Sequence, residues 1–240
     1  MSDVRYLTAG DTALVMEFGT AIDESVNRQV KRVYDALRAR PVKGIFEAVP
    51  TFRSLLIYYN PCQISYEKLV KKLKKLEQSS SGILTASKKI IHIPVLYGGE
   101  YGEDIADVAA YTKLTEQQII SLHSEKEYLI YMLGFLPGFA YLGGLDPRLH
   151  TPRLKNPRTK IPQGSVGIGG EQTGIYPLAS PGGWRLIGRT PLKPYDPARK
   201  EPFLYQAGDY IKFDPVTAEE YKQIESLVEE GKYTAKEEVR

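Results

Sequence analysis

The sequence predicts an α+β protein in two parts, a small α/β sandwich followed by a closed or nearly closed β-barrel. Up to residue 78, strand patterns alternate with two amphipathic helices, whereas from residue 90 onward short strands are separated by glycine and proline turns. Residues 79–89 are polar and serine-rich, which is typical of a linker. We therefore expect a sandwich domain at 1–78, a linker at 79–89 and a barrel domain at 90–240.

The first domain is predicted from its apolar spacing. A β-favouring run at 13–18 precedes a helix at 22–40, whose apolar residues recur three or four positions apart. Two more strands, at 45–50 and 55–59, precede a second helix that begins near Tyr66. That helix is crowded with lysines, for which a solvated face is a better explanation than a nucleic-acid surface. These lysines are Lys68, Lys71, Lys72, Lys74 and Lys75.

The second domain begins with a predicted strand at 90–97. It contains His92, which alternation places on the opposite face from its isoleucine neighbours and which we interpret as structural. Helices are predicted at 104–111 and 116–124, the latter after a capping-box pattern that begins at Thr115. Further strands are expected at 127–133 and 210–214, before a last helix at 218–230 and a charged tail.

Composition excludes several classes of protein. Of 240 residues, 42% are hydrophobic, and 32 basic residues against 29 acidic ones leave a net charge of +3, which does not favour nucleic acid as a partner. The single cysteine, Cys62, rules out an internal disulfide and fits a reducing compartment. We expect a cytoplasmic protein without a membrane partner, because no signal-like start and no run of about 20 apolar residues occurs.

The chemistry is concentrated in residues 131–190, here called the glycine-rich segment. It is a quarter of the chain but contains 12 of the 21 glycines and 7 of the 16 prolines. Glycine permits positive φ and close backbone approach, and proline fixes φ, so a segment dense in both can follow an irregular but defined path. Long barrel loops would have the same composition, and such loops are compatible with function.

Cationic and aromatic side chains are interleaved in this segment. Seven basic residues face two acids, a local net charge of +5. Arg153 and Arg158 each follow a proline, so their guanidinium groups are suited either to a bound carboxylate or phosphate or to structural salt bridges. The aromatic residues would either line a small-molecule or peptide pocket or fill the barrel. They are Phe135, Phe139, Tyr141, Tyr176 and Trp184, of which the first two flank a turn-like Pro137-Gly138 unit.

Common catalytic motifs are not met. The run from Gly167 begins like a dinucleotide fingerprint but lacks its last glycine, and the run from Gly169 has Walker spacing without the lysine. The three histidines are too far apart in sequence for a zinc motif, so no metal is predicted. Ser165, Thr173 and Ser180 would be nucleophiles only with a base that the sequence does not identify, and the catalytic residues stay unknown.

Four blocks of the segment, taken in order, resemble one bacterial family. They are GFLPGFAYLGGLDPRL, the two Pro-Arg pairs, IPQGSVGIGGEQTGIYP and SPGGWRLIGRTPL. The chain is similar over these blocks to the KipI family, whose members are also called 5-oxoprolinase B subunits or allophanate hydrolase subunit 1. The resemblance extends from Ile93 to Pro197 and implies a cyclophilin-like fold for the barrel.

The resemblance also implies a function. It implies a non-autonomous subunit of an ATP-dependent 5-oxoprolinase, which opens 5-oxo-L-proline to L-glutamate together with a KipA-like protein and a LamB/YcsF-like protein as the other subunits. ATP would be used by the complex, and the missing nucleotide motifs suggest that this chain alone does not bind it. Some family members inhibit a sporulation histidine kinase instead, and that role could coexist with the enzyme role. A peptidyl-prolyl isomerase is a weaker alternative, because it depends on fold similarity alone.

A set of candidate substrate- or partner-binding residues follows from the segment. Arg153, Arg158 and Arg189 are the candidates for holding the carboxylate of 5-oxoproline. The remaining members of the set are Phe135, Pro137, Phe139, Tyr141, Ser165, Gln172, Thr173, Tyr176 and Trp184.

Overall fold

The computed structural model describes residues 4–80 and 88–240. The chain divides into two compact units, Met1–Ala86 and Ser87–Arg240. The linker predicted at 79–89 falls mostly on residues 81–87, which lie outside the described residues. Residues 79 and 80 end a helix, and residue 89 begins a strand.

The first unit is a four-stranded antiparallel sheet with two helices. The strands lie in the order β1-β2-β4-β3. Both helices pack on the same face of the sheet, since their buried residues share one core with alternate residues of the central strands, such as Leu14 and Met16. The elements are β1 (Arg5–Thr8), β2 (Ala13–Glu17), α1 (Glu24–Ala39), β3 (Ile45–Pro50), β4 (Ser54–Tyr59) and α2 (Tyr66–Ser80).

Local signals explain where α1 begins. The Asp23 carboxylate accepts hydrogen bonds from the backbone N–H groups of Ser25 and Val26, which satisfies two of the free donors at the helix start. Hydrogen bonds from the Ser25 side chain and from these backbone groups also lower the pKa of Asp23. The predicted helices and strands of this unit are confirmed to within about two residues, while β1 was not predicted.

The second unit is built mainly from short strands. Its helices α4 and α5 both begin with capping boxes, at Thr115 and Thr217, the first as predicted. The elements are β5 (Lys89–Tyr97), α3 (Ile105–Thr112), α4 (Glu116–Glu125), β6 (Glu127–Leu133), β7 (Ala140–Leu142), β8 (Arg158–Ile161), β9 (Ser165–Gly169), β10 (Gln172–Ile175), β11 (Ser180–Gly182), β12 (Arg185–Arg189), β13 (Tyr210–Pro215), α5 (Ala218–Glu229) and β14 (Glu237–Val239).

Eight of these strands form a nearly closed barrel. Their order is β10-β9-β12-β5-β13-β6-β7, with β14 also paired to β5. The two end strands approach each other, because a Cβ built on Gly174 in β10 would lie 3.1 Å from the Ala140 carbonyl oxygen in β7. Buried side chains such as Ile93, Val166 and Phe213 fill the interior. The predicted fold class, a small α/β sandwich followed by a cyclophilin-like barrel, is confirmed.

The charged tail forms a strand, which no sequence pattern had predicted. β14 pairs antiparallel with the first residues of β5, and β5 also pairs in parallel with β13. His92 of β5 links the three strands, because its Nδ1 lies 2.8 Å from an Asp214 carboxylate oxygen and its Nε2 lies 3.2 Å from a Glu238 carboxylate oxygen. His92 thus has the structural role that was predicted. No helix in residues 4–80 and 88–240 is long and apolar enough to cross a membrane.

Candidate functional site

The candidate site lies on the outer surface of the barrel, where three aromatic rings form a second small core. Phe139, Tyr176 and Trp184 are at most 5% exposed and pack with Ile161 and Leu186. The Phe139 ring centroid lies 5.5 Å from that of Trp184 and 5.7 Å from that of Tyr176, both edge to face. We call this group of five side chains the aromatic layer. Of the two interpretations of these three aromatics, the structure supports packing, although on the outside of the barrel.

The glycines of the segment make room for this layer. A Cβ on Gly169 would lie 2.3 Å from Cδ1 and Nε1 of Trp184, and one on Gly174 would lie 3.2 Å from Cζ3 of the same ring. A Cβ on Gly182 would lie 2.5 Å from the Tyr176 hydroxyl. The separations at Gly169 and Gly182 are shorter than Cβ atoms tolerate and the one at Gly174 is tight, so glycine is the residue that lets the rings approach the strands this closely.

The glycine-rich hairpin that partly matches nucleotide motifs is part of the barrel sheet. Gly167 and Gly169 lie in β9 and pair with Gly174 and Gln172 of β10, so their backbone is engaged in the sheet. The Trp184 ring occupies the space above Gly169 and Gly174. The backbone of this hairpin is therefore paired within the sheet and covered on one face by Trp184.

One exposed aromatic extends from the layer. Phe135 lies in the loop between β6 and β7, is 64% exposed and contacts Phe139 edge to face at 5.4 Å. Its φ of +63° is uncommon for a bulky side chain and is held by a tight turn in which Gly134 N–H donates to the Phe139 carbonyl. Pro137 is exposed in the same loop, and Tyr141 is half-buried against the layer. The loop thus presents an apolar tip to solvent.

Arg158 is anchored beside the layer. Its Nη2 lies 2.7 Å from Asp104 Oδ1 and its Nε lies 3.1 Å from a Glu103 carboxylate oxygen. The other oxygen of Asp104 accepts from the Leu186 backbone N–H at 2.6 Å. Burial acts to lower the pKa of Arg158, but the hydrogen bond to Asp104 and the nearby acids outweigh it, and the pKa lies above its ordinary value. Its Nη1 is buried and has no hydrogen-bond partner within the described residues.

Arg153 contacts the same aromatic rings. Its guanidinium carbon is 5.9 Å from the centre of the Trp184 ring, which is a cation–π contact. The side chain is exposed and makes no ion pair within residues 4–80 and 88–240. Burial raises the pKa of Tyr176, and the charges of Arg153 and Arg158 oppose that rise, which places both arginines in the electrostatic environment of one hydroxyl.

Arg189 and Ser165 are neighbours on a different part of the barrel. They are directly opposite each other in the antiparallel β9–β12 pair. The Arg189 guanidinium lies 5.2 Å from the Tyr101 ring centre. The Ser165 Oγ and the Arg189 Nε are both buried without a hydrogen-bond partner in the described part of the chain. Arg189 thus has contacts of its own, separate from those of Arg153 and Arg158.

Thr173 lies in a buried network that no sequence pattern revealed. His123 of α4 is fully buried, and its ring lies between the Tyr97 hydroxyl on Nδ1 and the Thr173 hydroxyl on Nε2, each at 2.7 Å. The Thr173 hydroxyl donates onward to the Gly167 carbonyl at 3.0 Å. Burial lowers the pKa of His123 to about 3, so the ring is neutral. Thr173 is therefore a structural partner of His123, whereas its neighbour Gln172 is half-buried at the start of β10.

The direction of this network follows from its last bond. Because the Thr173 proton goes to Gly167, the Thr173 oxygen accepts from the Nε2–H of His123, and Nδ1 accepts from Tyr97. The arrangement resembles a hydroxyl–imidazole pair of an active site but has no access to solvent, since Thr173 and His123 are 0% exposed. The pair is recognised only from its buried hydrogen-bond partners, which are distant in sequence.

Cationic and apolar groups lie around the aromatic layer. Arg153 provides a guanidinium outside any ion pair of the described residues, Arg158 a buried N–H, and the Phe135 loop an apolar surface. Among the described residues, no group of three or more His, Cys, Asp or Glu side chains is placed to hold a metal ion. The fold and this surface define a class of α+β protein in which a cyclophilin-like barrel presents arginines over an external aromatic layer.

Comparisons with known proteins identify the family. The model of the family described as "Carboxyltransferase domain, subdomain C and D" matches residues 4–205, and the chain belongs to this family. The 5-oxoprolinase B subunit of Bacillus subtilis (strain 168) is 38% identical over 222 residues, which cover 88% of this chain and 92% of that protein. The 5-oxoprolinase B subunit of Escherichia coli O157:H7 is 43% identical over 216 residues, covering 90% and 97% respectively. The resemblance identified from the sequence motifs is thereby confirmed.

A solved structure shows the same fold. The crystal structure of TTHA0988 aligns with a TM-score of 0.77 at 36% identity over 86% of this chain. The aligned part is 40% of that protein, so this chain spans about two fifths of its length.

Proposed function

We propose that this chain is the B subunit of a 5-oxoprolinase and contributes to the binding of 5-oxo-L-proline in a site completed by partner subunits. The observation that supports this most is the similarity to two 5-oxoprolinase B subunits over nine tenths or more of their length. The partners expected are a KipA-like protein and a LamB/YcsF-like protein, in the cytoplasm.

The reaction explains why partners are needed. In the ring opening, the lactam C–N bond breaks and one water adds as a hydroxyl to the carbonyl carbon and as a proton to the nitrogen. A second water is consumed as ATP is cleaved to ADP and phosphate. An unstrained lactam resists water unless its carbonyl is activated, which is the role of ATP. The sequence has no complete nucleotide motif, and its glycine-rich hairpin is engaged in strand pairing beneath Trp184, so we propose that ATP binds to another subunit.

Arg153 is proposed to hold the substrate carboxylate, with Arg158 adding positive charge beside it. Arg153 is exposed and has a planar guanidinium over Trp184, whereas the guanidinium of Arg158 is held by Asp104 and Glu103. A charge-assisted hydrogen bond of this kind contributes about 1.5–3 kcal/mol, or roughly 10- to 150-fold in affinity. The apolar ring carbons of the substrate would lie on the Phe135 loop.

The first test is dependence on partners. Purified chain with ATP and 5-oxoproline should release no glutamate, whereas the chain co-expressed with the KipA-like and LamB/YcsF-like proteins should do so. Sustained turnover by the isolated chain would refute the proposal of a shared site. If a stable three-subunit complex forms but releases no glutamate, the assigned reaction is refuted.

A second test concerns Arg153. In the assembled enzyme, Arg153→Ala should raise KM for 5-oxoproline about tenfold or more and change kcat less, because the lost contact is to a substrate group that does not react. Arg148→Ala is the matched control, since Arg148 is exposed and pairs with Asp146 within its own turn. An unchanged KM in Arg153→Ala would remove this residue from the site.

The two other functions considered from the sequence remain predictions. For the inhibitor of histidine kinase autophosphorylation, the exposed Phe135 loop would be the docking element, and Phe135→Ala should abolish inhibition of a co-encoded kinase. For the isomerase, the geometry of Arg158 is unfavourable, since its guanidinium is already engaged by Asp104 and Glu103.

A further inference from the structure

A second charged surface lies on the first unit, which contains none of the candidate site residues described above. A hollow of about 380 Å³ lies beside α2 and is lined by five lysines together with Gln63 and Ile64. We call it the lysine groove. Its lysines are Lys43, Lys68, Lys71, Lys72 and Lys75.

The lysines of α2 are arranged on a single arc of the helix. Lys68, Lys71, Lys72 and Lys75 follow the spacing i, i+3, i+4 and i+7, which places them on one face over about 10 Å of helix length. Lys43 reaches the same hollow from the turn before β3.

The acids of α2 lie outside this arc. By the helical period, Glu77 falls on the opposite side of the helix, and Glu67 falls at the edge of the arc beside Lys71. Glu67 accepts hydrogen bonds from its own backbone N–H and from the Ser65 side chain, and these bonds lower its pKa. Its carboxylate thus acts at the start of the helix, and the arc itself carries cations alone.

The lysine arc lacks ion pairs within the part of the chain that the structure describes. All five lysines of the groove are exposed, and none of them lies within 4.0 Å of a carboxylate among residues 4–80 and 88–240. By contrast, Lys31 on α1 pairs with Asp35 one turn along. Like charges four residues apart destabilise a helix by a few tenths of a kcal/mol per pair. The first unit therefore retains an unfavourable charge arrangement that its described ion pairs do not offset.

The position of the lysines along the helix adds to the positive potential. Lys68, Lys71 and Lys72 lie in the first two turns of α2, whereas its last turn contains no basic residue. Cations are favoured near the carboxyl end of a helix and disfavoured near the amino end, because of the helix dipole. The lysines thus lie where the helix dipole disfavours cations, and the Glu67 carboxylate at the helix start offsets part of that dipole.

We propose that the lysine groove is the docking site for an acidic segment of a partner polypeptide. An amphipathic helix with acids at i, i+3, i+4 and i+7 has the same charge spacing and length as the arc, and the lysine stems and Ile64 provide an apolar floor. The charge balance of the chain agrees, since residues 1–86 contain 13 basic and 9 acidic residues, a net of +4, against a net of +3 for the whole chain. That the partner is a subunit of the same enzyme rests on the proposed function.

Peptide binding to the isolated chain tests the groove independently of any enzyme activity. The probe is a labelled helical peptide with glutamates at the four spaced positions, and its control carries glutamines there. Wild-type chain should bind the glutamate peptide and not the glutamine peptide, with an affinity that falls as salt is raised. No measurable binding of the glutamate peptide at low salt would overturn the proposal, whether or not the complex is active.

Matched variants separate the groove from net charge. The triple variant Lys68→Gln, Lys71→Gln, Lys75→Gln should weaken peptide binding about tenfold, as expected for three lost surface pairs. The control Lys74→Gln, Lys200→Gln, Lys222→Gln removes the same charge from exposed sites outside the groove and should change binding by less than about twofold. Equal loss in both variants would overturn the proposal.

Competition with inorganic triphosphate distinguishes a site for small polyanions from a site for an acidic peptide segment. If triphosphate binds with the same lysine dependence and excludes the peptide at equal charge concentration, the groove is a site for small polyanions and the proposed occupant is wrong. If it competes only weakly, the extended acidic segment is supported. The same triple variant, co-expressed with the other subunits, should then be recovered without the partner that carries the segment.

Discussion

Thr173→Val tests the buried network around His123 most directly. Valine matches threonine in shape but offers no oxygen, so the His123 Nε2–H, now 2.7 Å from the Thr173 oxygen, would be buried without an acceptor. An unsatisfied buried donor costs about 1–3 kcal/mol. The Gly167 carbonyl also loses the bond that it accepts from Thr173 at 3.0 Å. We therefore expect a loss of about 2–3 kcal/mol in the free energy of unfolding.

The assay uses the single tryptophan of the chain. Trp184 lies in the second unit and is 5% exposed, so its fluorescence in urea reports the unfolding of the barrel. A loss of about 2–3 kcal/mol should lower the Tm of a unit of this size by roughly 4–12 °C. Thr173→Ser, which keeps the hydroxyl, should lose about half as much, through the missing methyl group.

A matched control separates the network from the loss of any threonine hydroxyl. Thr159→Val, at an exposed position of β8, should stay within about 0.5 kcal/mol of wild type. The reasoning would be refuted if Thr173→Val were as stable as that control.

Two further predictions follow from the same geometry. Burial lowers the pKa of His123 from 6.5 to about 3, so between these pH values the unfolded state binds more protons than the folded state. The contribution of this group to stability is therefore complete above pH 6.5 and falls as the pH is lowered. At pH 5 the free energy of unfolding should be lower by about 2 kcal/mol. Urea titrations at pH 7 and pH 5 should show this loss in wild type and a smaller one in His123→Gln, and equal losses in both would contradict a neutral His123. Gly169→Ala should displace the Trp184 ring, lower stability by about 1–3 kcal/mol and shift its emission to the red, because the new Cβ would lie 2.3 Å from the indole. Gly183→Ala, whose Cβ would meet only an ordinary contact at 3.6 Å, should leave the emission unchanged, and a similar shift in both variants would contradict the packing described.

Much of the fold was predictable because its signals are local. Helix α4 begins where Thr115 and Gln118 form the capping box that the sequence contains, and β6 matches its prediction residue for residue. The sequence patterns did not predict β1 and β14, which are four and three residues long. These strands are stabilised by pairing with β2 and β5. Such pairing depends on residues distant in sequence, which a local pattern does not contain.

The candidate site was predictable in composition but not in geometry. Glycine, aromatic and arginine content identified the segment, yet the same residues were compatible with a pocket or with packing. Trp184 is buried because Gly169 and Gly174 have no side chains in the space that its ring occupies. Thr173 faces the interior because of its position in the four-residue strand β10. In strands this short, a shift of one residue exchanges the two faces, so the sequence alone does not assign them.

The pairing of β14 with β5 has a consequence for the order in which the molecule is made. β5 is the first strand of the barrel unit to leave the ribosome and β14 the last, and the contact from His92 to Glu238 joins residues 146 positions apart. Domains fold as units during synthesis, and a contact of such separation cannot form before its later residue emerges. The sandwich unit, whose strands pair within the first 59 residues, can begin to fold on the nascent chain, while the barrel completes its sheet only once Glu238 has emerged.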